Sequence, residues 1–414
     1  MNYKIDKINT ISAPTWSWLN VNAASVKFDA EILDEYDFSV GHIPDGFTIQ
    51  TFSPASRSSS GEGAPQSPYF QKRDIPTTEQ DLEELVQSGQ NRGFVIRIRK
   101  GYEAKEPLIL TLHAANAIQA VIENTHIIAE ENSRASIIIK HSSEADVAAI
   151  YAGICDVQVK SGAQIQLILI QDMGMNILQQ TSTAVNIDET LTANKTFALQ
   201  QTAGNTEKPH ASCTFQAKGT YAFHTRARIS KNARLDLFFV ELGAARFFSG
   251  CEVLLQDSGA HAEVKSIYIG DSDRHLDMNY RIRFQAPATI GNTTSRGVLM
   301  DKCQKIFRAE LDFQSGAYAS KGREEESVIT MSDHVKNVSA PFLLCGEDDV
   351  EGEHAASTGK LDENMIFYLM TRGIPETEAR RILIEAAFTE MLQNIPDETI
   401  RHAILQNIGE RIEN

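Results

Sequence analysis

The chain has 414 residues, a length that suggests two or three domains of ordinary size and fits one large or one repetitive fold equally well. Hydrophobic residues make up 42%, and 39 Lys and Arg stand against 55 Asp and Glu, for a formal net charge of −16. This composition excludes wholesale disorder, and an acidic surplus with no clustered Lys or Arg argues against nucleic acid as a partner.

The first ten residues, MNYKIDKINT, carry no apolar core of the length a signal peptide requires, and no run of roughly eighteen apolar residues occurs anywhere. The expectation is a soluble, cytoplasmic protein with no membrane contact. Cys155, Cys213, Cys251, Cys303 and Cys345 are scattered singly, odd in number and without a C-x-x-C pair. Neither a disulfide framework nor a closed zinc site is favoured, and each thiol reads as a small buried side chain.

Residues 1–52 mix Trp16, Trp18, Phe28, Leu33 and Phe38 with polar positions and are expected to form an N-terminal, largely helical region. Residues 53–69, SPASRSSSGEGAPQSPY, hold too little apolar surface to offset the entropy of ordering them, so a linker or mobile loop is expected. The segment 70–93 leads into the core. In it Thr77 or Thr78 can cap a short helix through TTEQDLEELVQSG, with Leu82, Leu85 and Val86 as its apolar stripe.

From residue 94 to 358 the texture is that of strands. FVIRIRK, PLILTLHA, THIIAE, ASIIIKH, IYAGICDVQVK, QIQLILIQ, KTFALQQ, RLDLFFVEL and EVKSIYIG follow one another between Gly, Asn, Asp and Ser. A small polar turn, an alanine and an alternating strand recur at Ala135, Ala163, Ala233, Ala260 and Ala317, at separations of 28, 70, 27 and 57 residues. A period in the twenties with strands and no helices is what a parallel β-solenoid requires; the alternative is a sandwich or barrel with coincident Gly-Ala turns. The separation of 70 fits the period poorly.

Residues 359–414 read as a helical region. LDENMIFYLMTRG has acidic residues at its start and Gly373 beyond its end, Pro375 opens a second helix and Pro396 a third. They carry more apolar residues than they can bury on one another, so they either cap the end of the solenoid or offer a surface to another protein.

No nucleophile elbow, phosphate loop, dinucleotide fingerprint or H-E-x-x-H occurs, so nothing points to catalysis. Two polar clusters remain. Asp271, Asp273, His275 and Asp277 alternate; on a strand they would share one face and could hold a divalent cation, or form a charged outer face with Arg274, Arg281 and Arg283. CGEDDVEGEHAASTG brings Cys345, Asp348, Asp349, Glu351, Glu353 and His354 close in sequence, a mixed N/O/S set of the kind iron or zinc accepts, or simply a solvated acidic turn.

Three stretches carry a resemblance. IYIGDSDRHLDMNYRIRFQAPATIGNTTSRGVL, FRAELDFQSGAYASKGREEE and DDVEGEHAASTGKLDENMIFYLMTRGIPETEARRILIEAAF occur in this order, within roughly residues 220 to 394. Together they resemble the shared core of the SufB/SufD family of iron–sulfur cluster assembly proteins, and the chain length and HAASTGKLDENMIFYLMTRGI are most similar to the SufD branch. The resemblance implies a right-handed parallel β-helix between helical N- and C-terminal regions, in agreement with the repeat. It also implies a non-enzymatic subunit that pairs with SufB and docks the ATPase SufC through residues 361–394, with Phe367, Tyr368, Arg372, Gly373 and Ile374 in the docking region. No tightly bound cofactor is implied, only transient iron or an iron–sulfur cluster at the interface with SufB.

Carried over by residue, the family's histidine falls on His354, the candidate metal ligand, with Glu353 and Asp349 as substitute hard ligands for Fe(II). Gly352 stands where some SufD proteins have cysteine, and no thiol lies near Glu326 or Ser327, where SufB accepts sulfur. Two alternatives stay open. One is a homodimer acting without SufB; the other is a β-helix polysaccharide lyase or hydrolase using Asp271, Asp273 and Asp277 as acid/base carboxylates or calcium ligands.

Overall fold

The computed structural model describes residues 2–10, 24–29, 31–32, 37–52, 80–114, 119–144, 150–174 and 219–413. In chain order these form β1 (Asn2–Ile8), β2 (Ala24–Asp29), β3 (Glu31–Ile32), β4 (Asp37–Val40), β5 (Phe47–Phe52), α1 (Gln80–Gly89), β6 (Arg92–Ile98) and β7 (Leu108–Ala114). Next come β8 (Gln119–Ala129), β9 (Arg134–Ser143), β10 (Ile150–Val159), β11 (Gln164–Asp172), β12 (Thr220–Ile229), β13 (Arg234–Glu241), β14 (Arg246–Leu255) and β15 (His261–Gly270). The rest are β16 (His275–Phe284), β17 (Ile290–Leu299), β18 (Gln304–Phe313), β19 (Ser320–Thr330), β20 (Lys336–Cys345), β21 (Val350–Gly359), α2 (Glu363–Thr371), α3 (Glu376–Leu392) and α4 (Glu398–Glu413).

From β6 onward the strands alternate between two sheets. The even-numbered strands stack in parallel as one sheet, closed off at its start by antiparallel β5; the odd-numbered ones stack as the other, with antiparallel β4 at its start. Each coil therefore contributes one rung to each sheet, and the fold is the parallel β-helix that the repeat implied. Side chains alternate between the lumen and the outside. Ile137, Leu167, Leu237 and Val264 lie in register one above another inside the odd-numbered sheet, each fully buried. Burial of such a side chain is worth about 1.5–3 kcal/mol, so a stack of them is the main support of the coil.

The corners explain the sequence repeat. Asn132, Gly162, Asn232 and Gly259 occupy the same corner in four successive coils, all with positive φ. A Cβ on Gly162 would lie 2.2 Å from Asn132 Oδ1, and one on Gly259 2.2 Å from Asn232 Oδ1, so each Asn side chain covers the glycine of the next coil. Ala163 and Ala233 close these turns, each amide donating three residues back (3.0 and 3.1 Å). In the first of the four coils Ser133 takes that place (3.2 Å), whereas Ala135 is in register with Ile165 and so lies two residues beyond the repeating corner position. The separation of 70 has a simple cause: Gln164 pairs directly with Arg234 and Ile150 with Thr220, so the two repeats are neighbouring rungs in both sheets. Residues 175–218, including the expected strand KTFALQQ, lie outside the described residues, as does the expected linker at 53–69.

The two outer faces are covered separately. α1 and the antiparallel pair β1–β2 lie on the even-numbered sheet, where Ile5, Ile8, Leu82, Leu85 and Val86 pack on Ile122, Ile154 and Phe248. Within residues 1–52 the described elements are the strands β1–β5 and not helices, the helix near the N-terminus being α1, while Trp16 and Trp18 lie outside the described residues. The three C-terminal helices form as expected, with Asp362 capping α2 and Gly373 in the left-handed conformation beyond it. They lie on the flank of the odd-numbered sheet, where Ile366, Ala379, Phe388, Leu392 and Ile408 meet Ile138, Ile168, Phe238, Ile267 and Val298. They do not cap the end. Among the described residues, no helix is long and apolar enough to cross a membrane.

Candidate functional site at the open end of the solenoid

The helices leave the last coil uncovered. β20 and β21 are the edge strands of their sheets, pairing only with β18 and β19, and β21 is solvent-exposed over nearly its whole length. The free polar edge of each strand faces outward as a template for another chain.

His354 lies on β21 in register with Glu324 of β19, and Gly352 and Ala356 stand over Gly322 and Glu326. In parallel pairing these partners project to the same side, here the lumen. A Cβ on Gly352 would come within 2.8 Å of Leu343 Cδ1 and 3.3 Å of Phe313 Cε2, both lumen-facing, so the position that some family members fill with cysteine is tightly enclosed. Glu353 lies on the opposite face, over Arg323. Asp349 is in the turn before β21, exposed, with its carbonyl accepting from the Ala319 amide at 2.6 Å. The expected trio is therefore split, with His354 on the lumen side and Glu353 and Asp349 away from it.

Beneath His354 the lumen is polar. Glu324 is buried and its Oε2 has no hydrogen-bond partner. Glu326 accepts from Tyr268 Oη at 2.6 Å and ion-pairs with Lys305, which also donates to Asn337 Oδ1 and Ser339 Oγ of β20, each at 3.0 Å. Burial pushes the Glu324 carboxyl up to about 8, reinforced by Glu326 and opposed by Lys305. Burial likewise pulls the Lys305 ammonium below its ordinary value, against the pull of Glu326. Cys345 is exposed at the end of β20. Among the described residues, no three His, Cys, Asp or Glu side chains are grouped to hold a metal ion.

The polar lumen continues deeper, which the sequence reading missed. His141, Gln171, Glu241 and Tyr268 are stacked in register. His141 lies 3.2 Å from Glu123 and 3.0 Å from Tyr221 Oη, and Glu241 accepts from Tyr280 Oη at 2.6 Å. Burial raises Glu241 to about 7, moderated by the Tyr280 and Ser249 hydroxyls. The signal was present in the sequence: each of the four is the eighth residue of its strand, and it emerges only once the coils are aligned in the true register.

The Asp271–Asp277 cluster is dispersed. Residues 271–274 form a turn, and only His275 and Asp277 are on a strand. Asp271 pairs with Arg274 (2.6 Å) and Arg411 (3.3 Å), Asp277 with Arg308 (2.6 and 3.1 Å), while Asp273 is exposed. The expected pairing holds for Arg274 alone. Arg281 and Arg283 instead join Glu252 and Glu310 in a buried ladder of alternating charge on the outside of the even-numbered sheet, in which Asp156, Arg226, Glu252, Arg281 and Glu310 occupy one register row.

On α2, Phe367 is 67% and Tyr368 50% exposed, flanked by exposed Met365 and Met370. Arg372 stacks on the Tyr368 ring at 5.1 Å. Of the other two expected docking residues, Gly373 serves the helix end and Ile374 packs against the cluster between helices and sheet.

A family model described as "SUF system FeS cluster assembly, SufBD core domain" matches residues 110–222 and 203–387, more than half of the chain. The chain belongs to the SufBD family. Among its relatives, the iron–sulfur cluster assembly protein SufD of Bacillus subtilis is 21% identical over 83% of this chain and 70% of its own length. A SufBD family protein of Pyrococcus horikoshii is 27% identical over 42% of this chain, and one of Mycobacterium tuberculosis 25% identical over 46%. Those matches span only 39% and 23% of the two relatives. As a SufBD protein and a SufD homologue, the chain is a component of iron–sulfur cluster assembly.

Proposed function

We propose that the chain is a non-catalytic, SufD-like subunit of the SUF scaffold, pairing through its open end with SufB and presenting α2 to the ATPase SufC. The uncovered last coil carries this reading. A solenoid normally ends in a cap, and here the C-terminal helices are spent on the flank instead. What is left is two adjacent strand edges over a polar lumen mouth, a surface that a second β-helix completes by continuing both sheets. The exposed apolar row on α2 supports the second contact, since aromatic side chains are the usual anchors of an interface. Iron, or a cluster being assembled, is cargo at the junction, with His354 as this chain's ligand; no tightly bound cofactor is needed.

The test is the molar mass of the chain purified alone and with SufB, before and after Ala356→Lys, which places a charge at the mouth. Loss of the heterodimer in the variant supports pairing by the open end. An intact heterodimer moves the interface elsewhere. A dimer of the chain alone that the same substitution dissolves shows instead that the edge pairs with a second copy.

A further inference from the structure

We propose that Glu324, and neither Glu353 nor Asp349, is the oxygen donor that works with His354, the two forming an N/O pair for a divalent iron ion at the lumen mouth. The inference rests on the reading of His354 as a ligand and deepens it. Three observations carry it.

The first is register. Glu324 and His354 are directly paired across β19 and β21 and project into the same lumen, one rung of about 4.8 Å apart. That spacing lets a carboxylate and an imidazole reach a common ion. Glu353 is placed by the same alternation on the other side of the sheet.

The second is the unmet bonding of Glu324. Its Oε2 is buried without a hydrogen-bond partner, although a buried carboxyl oxygen normally has one. Glu326, two residues on, also has a buried Oε2 without a partner, but its Oε1 is held by Tyr268 and Lys305. Of the two lumen carboxylates nearest the mouth, Glu326 is oriented through its Oε1, and Glu324, directly under His354, has no such anchor.

The third is chemistry. A carboxylate with an imidazole suits Fe(II), and two donors leave most of the coordination sphere for sulfur or for groups of the facing subunit. This accords with the lack of any three-donor group among the described residues, because a site meant to pass iron on is completed only across the junction.

The experiment is anaerobic calorimetric titration of the full chain with Fe(II), with the Co(II) absorption spectrum reporting coordination. Wild type is compared with Glu324→Gln, His354→Ala, Glu353→Gln and Asp349→Asn, each checked for an unchanged melting curve. Glu324→Gln keeps the shape of the side chain, and Glu324→Asp, which keeps the carboxylate, provides a rescue arm. The expected result is a loss of at least about ten-fold in affinity for Glu324→Gln and for His354→Ala, partial recovery in Glu324→Asp, and wild-type binding in the other two. Unchanged binding in Glu324→Gln with loss in His354→Ala would overturn the pair and leave His354 as a ligand. Unchanged binding in His354→Ala would overturn the ligand reading itself. An equal loss in Glu353→Gln would place the oxygen donor on the outer face.

Discussion

Lys305 and Glu326 form an ion pair inside the solenoid with neither side chain reaching solvent. The pair joins β18 of one sheet to β19 of the other just beneath the open end, and it is extended by Tyr268 on one side and by Asn337 and Ser339 on the other. It therefore braces the floor of the open end.

Breaking this pair from one side should be costly. Lys305→Met leaves Glu326 buried without a counter-charge, and a loss of about 3–5 kcal/mol is expected in urea unfolding. The double variant Lys305→Met with Glu326→Gln should recover much of it, since no charge is then stranded. A double variant as unstable as the single one would show that Lys305 acts by packing alone.

The floor has a second, steric dependence. Gly297 is in register with Tyr268, and a Cβ there would lie 2.0 Å from Tyr268 Cε2 and 2.1 Å from Cζ. Gly297→Ala must displace the ring and its bond to Glu326, with an expected loss of about 1–3 kcal/mol. Thermal unfolding reads this directly; a melting temperature equal to that of wild type contradicts the tight fit.

Stability should fall as pH rises from about 4.5 towards 8. The Glu241 carboxyl is raised to about 7 in the folded chain, above its ordinary value of 4.5, so the folded state binds more protons than the unfolded state between those limits. Its contribution is fully present below pH 4.5 and is lost as pH rises through 7. Glu324, raised to about 8, extends the decline in the same direction. Calorimetric melting between pH 5 and 8 should show a slope that Glu241→Gln flattens. An equal slope in the variant removes Glu241 as its source.

The face of α2 should be separable from stability. Phe367→Ser and Tyr368→Ser alter exposed side chains, so unfolding should shift by no more than about 0.5 kcal/mol. Binding of SufC should weaken by ten-fold or more if these rings are anchors. Undiminished binding in both variants moves the docking surface off α2.

Much of the architecture was legible in the sequence because its signals are local. Gly-Ala corners, alternating strands and the Asp362, Gly373 and Pro375 helix boundaries each depend on a few neighbouring residues. What stayed hidden depends on register between residues far apart in the chain. Ala135 and Ala163 look equivalent until the strands are paired, and the file His141, Gln171, Glu241 and Tyr268 is invisible until they are. His354 was found through a family motif, but its partner Glu324 lies 30 residues away on another strand, and the nearer Glu353 drew attention only by being adjacent. The pair β1–β2 was not legible because a segment that merely covers an outer face carries weak periodicity.

The most direct test of the central claim is co-expression with SufB and SufC, comparing wild type with His354→Ala and reading complex stoichiometry and iron–sulfur absorbance together. The expected result is a complex of unchanged composition that has lost its cluster absorbance, because the open end still pairs while the ligand is gone. A complex with full absorbance would contradict the account, leaving this chain a structural partner and placing the ligands elsewhere in the assembly.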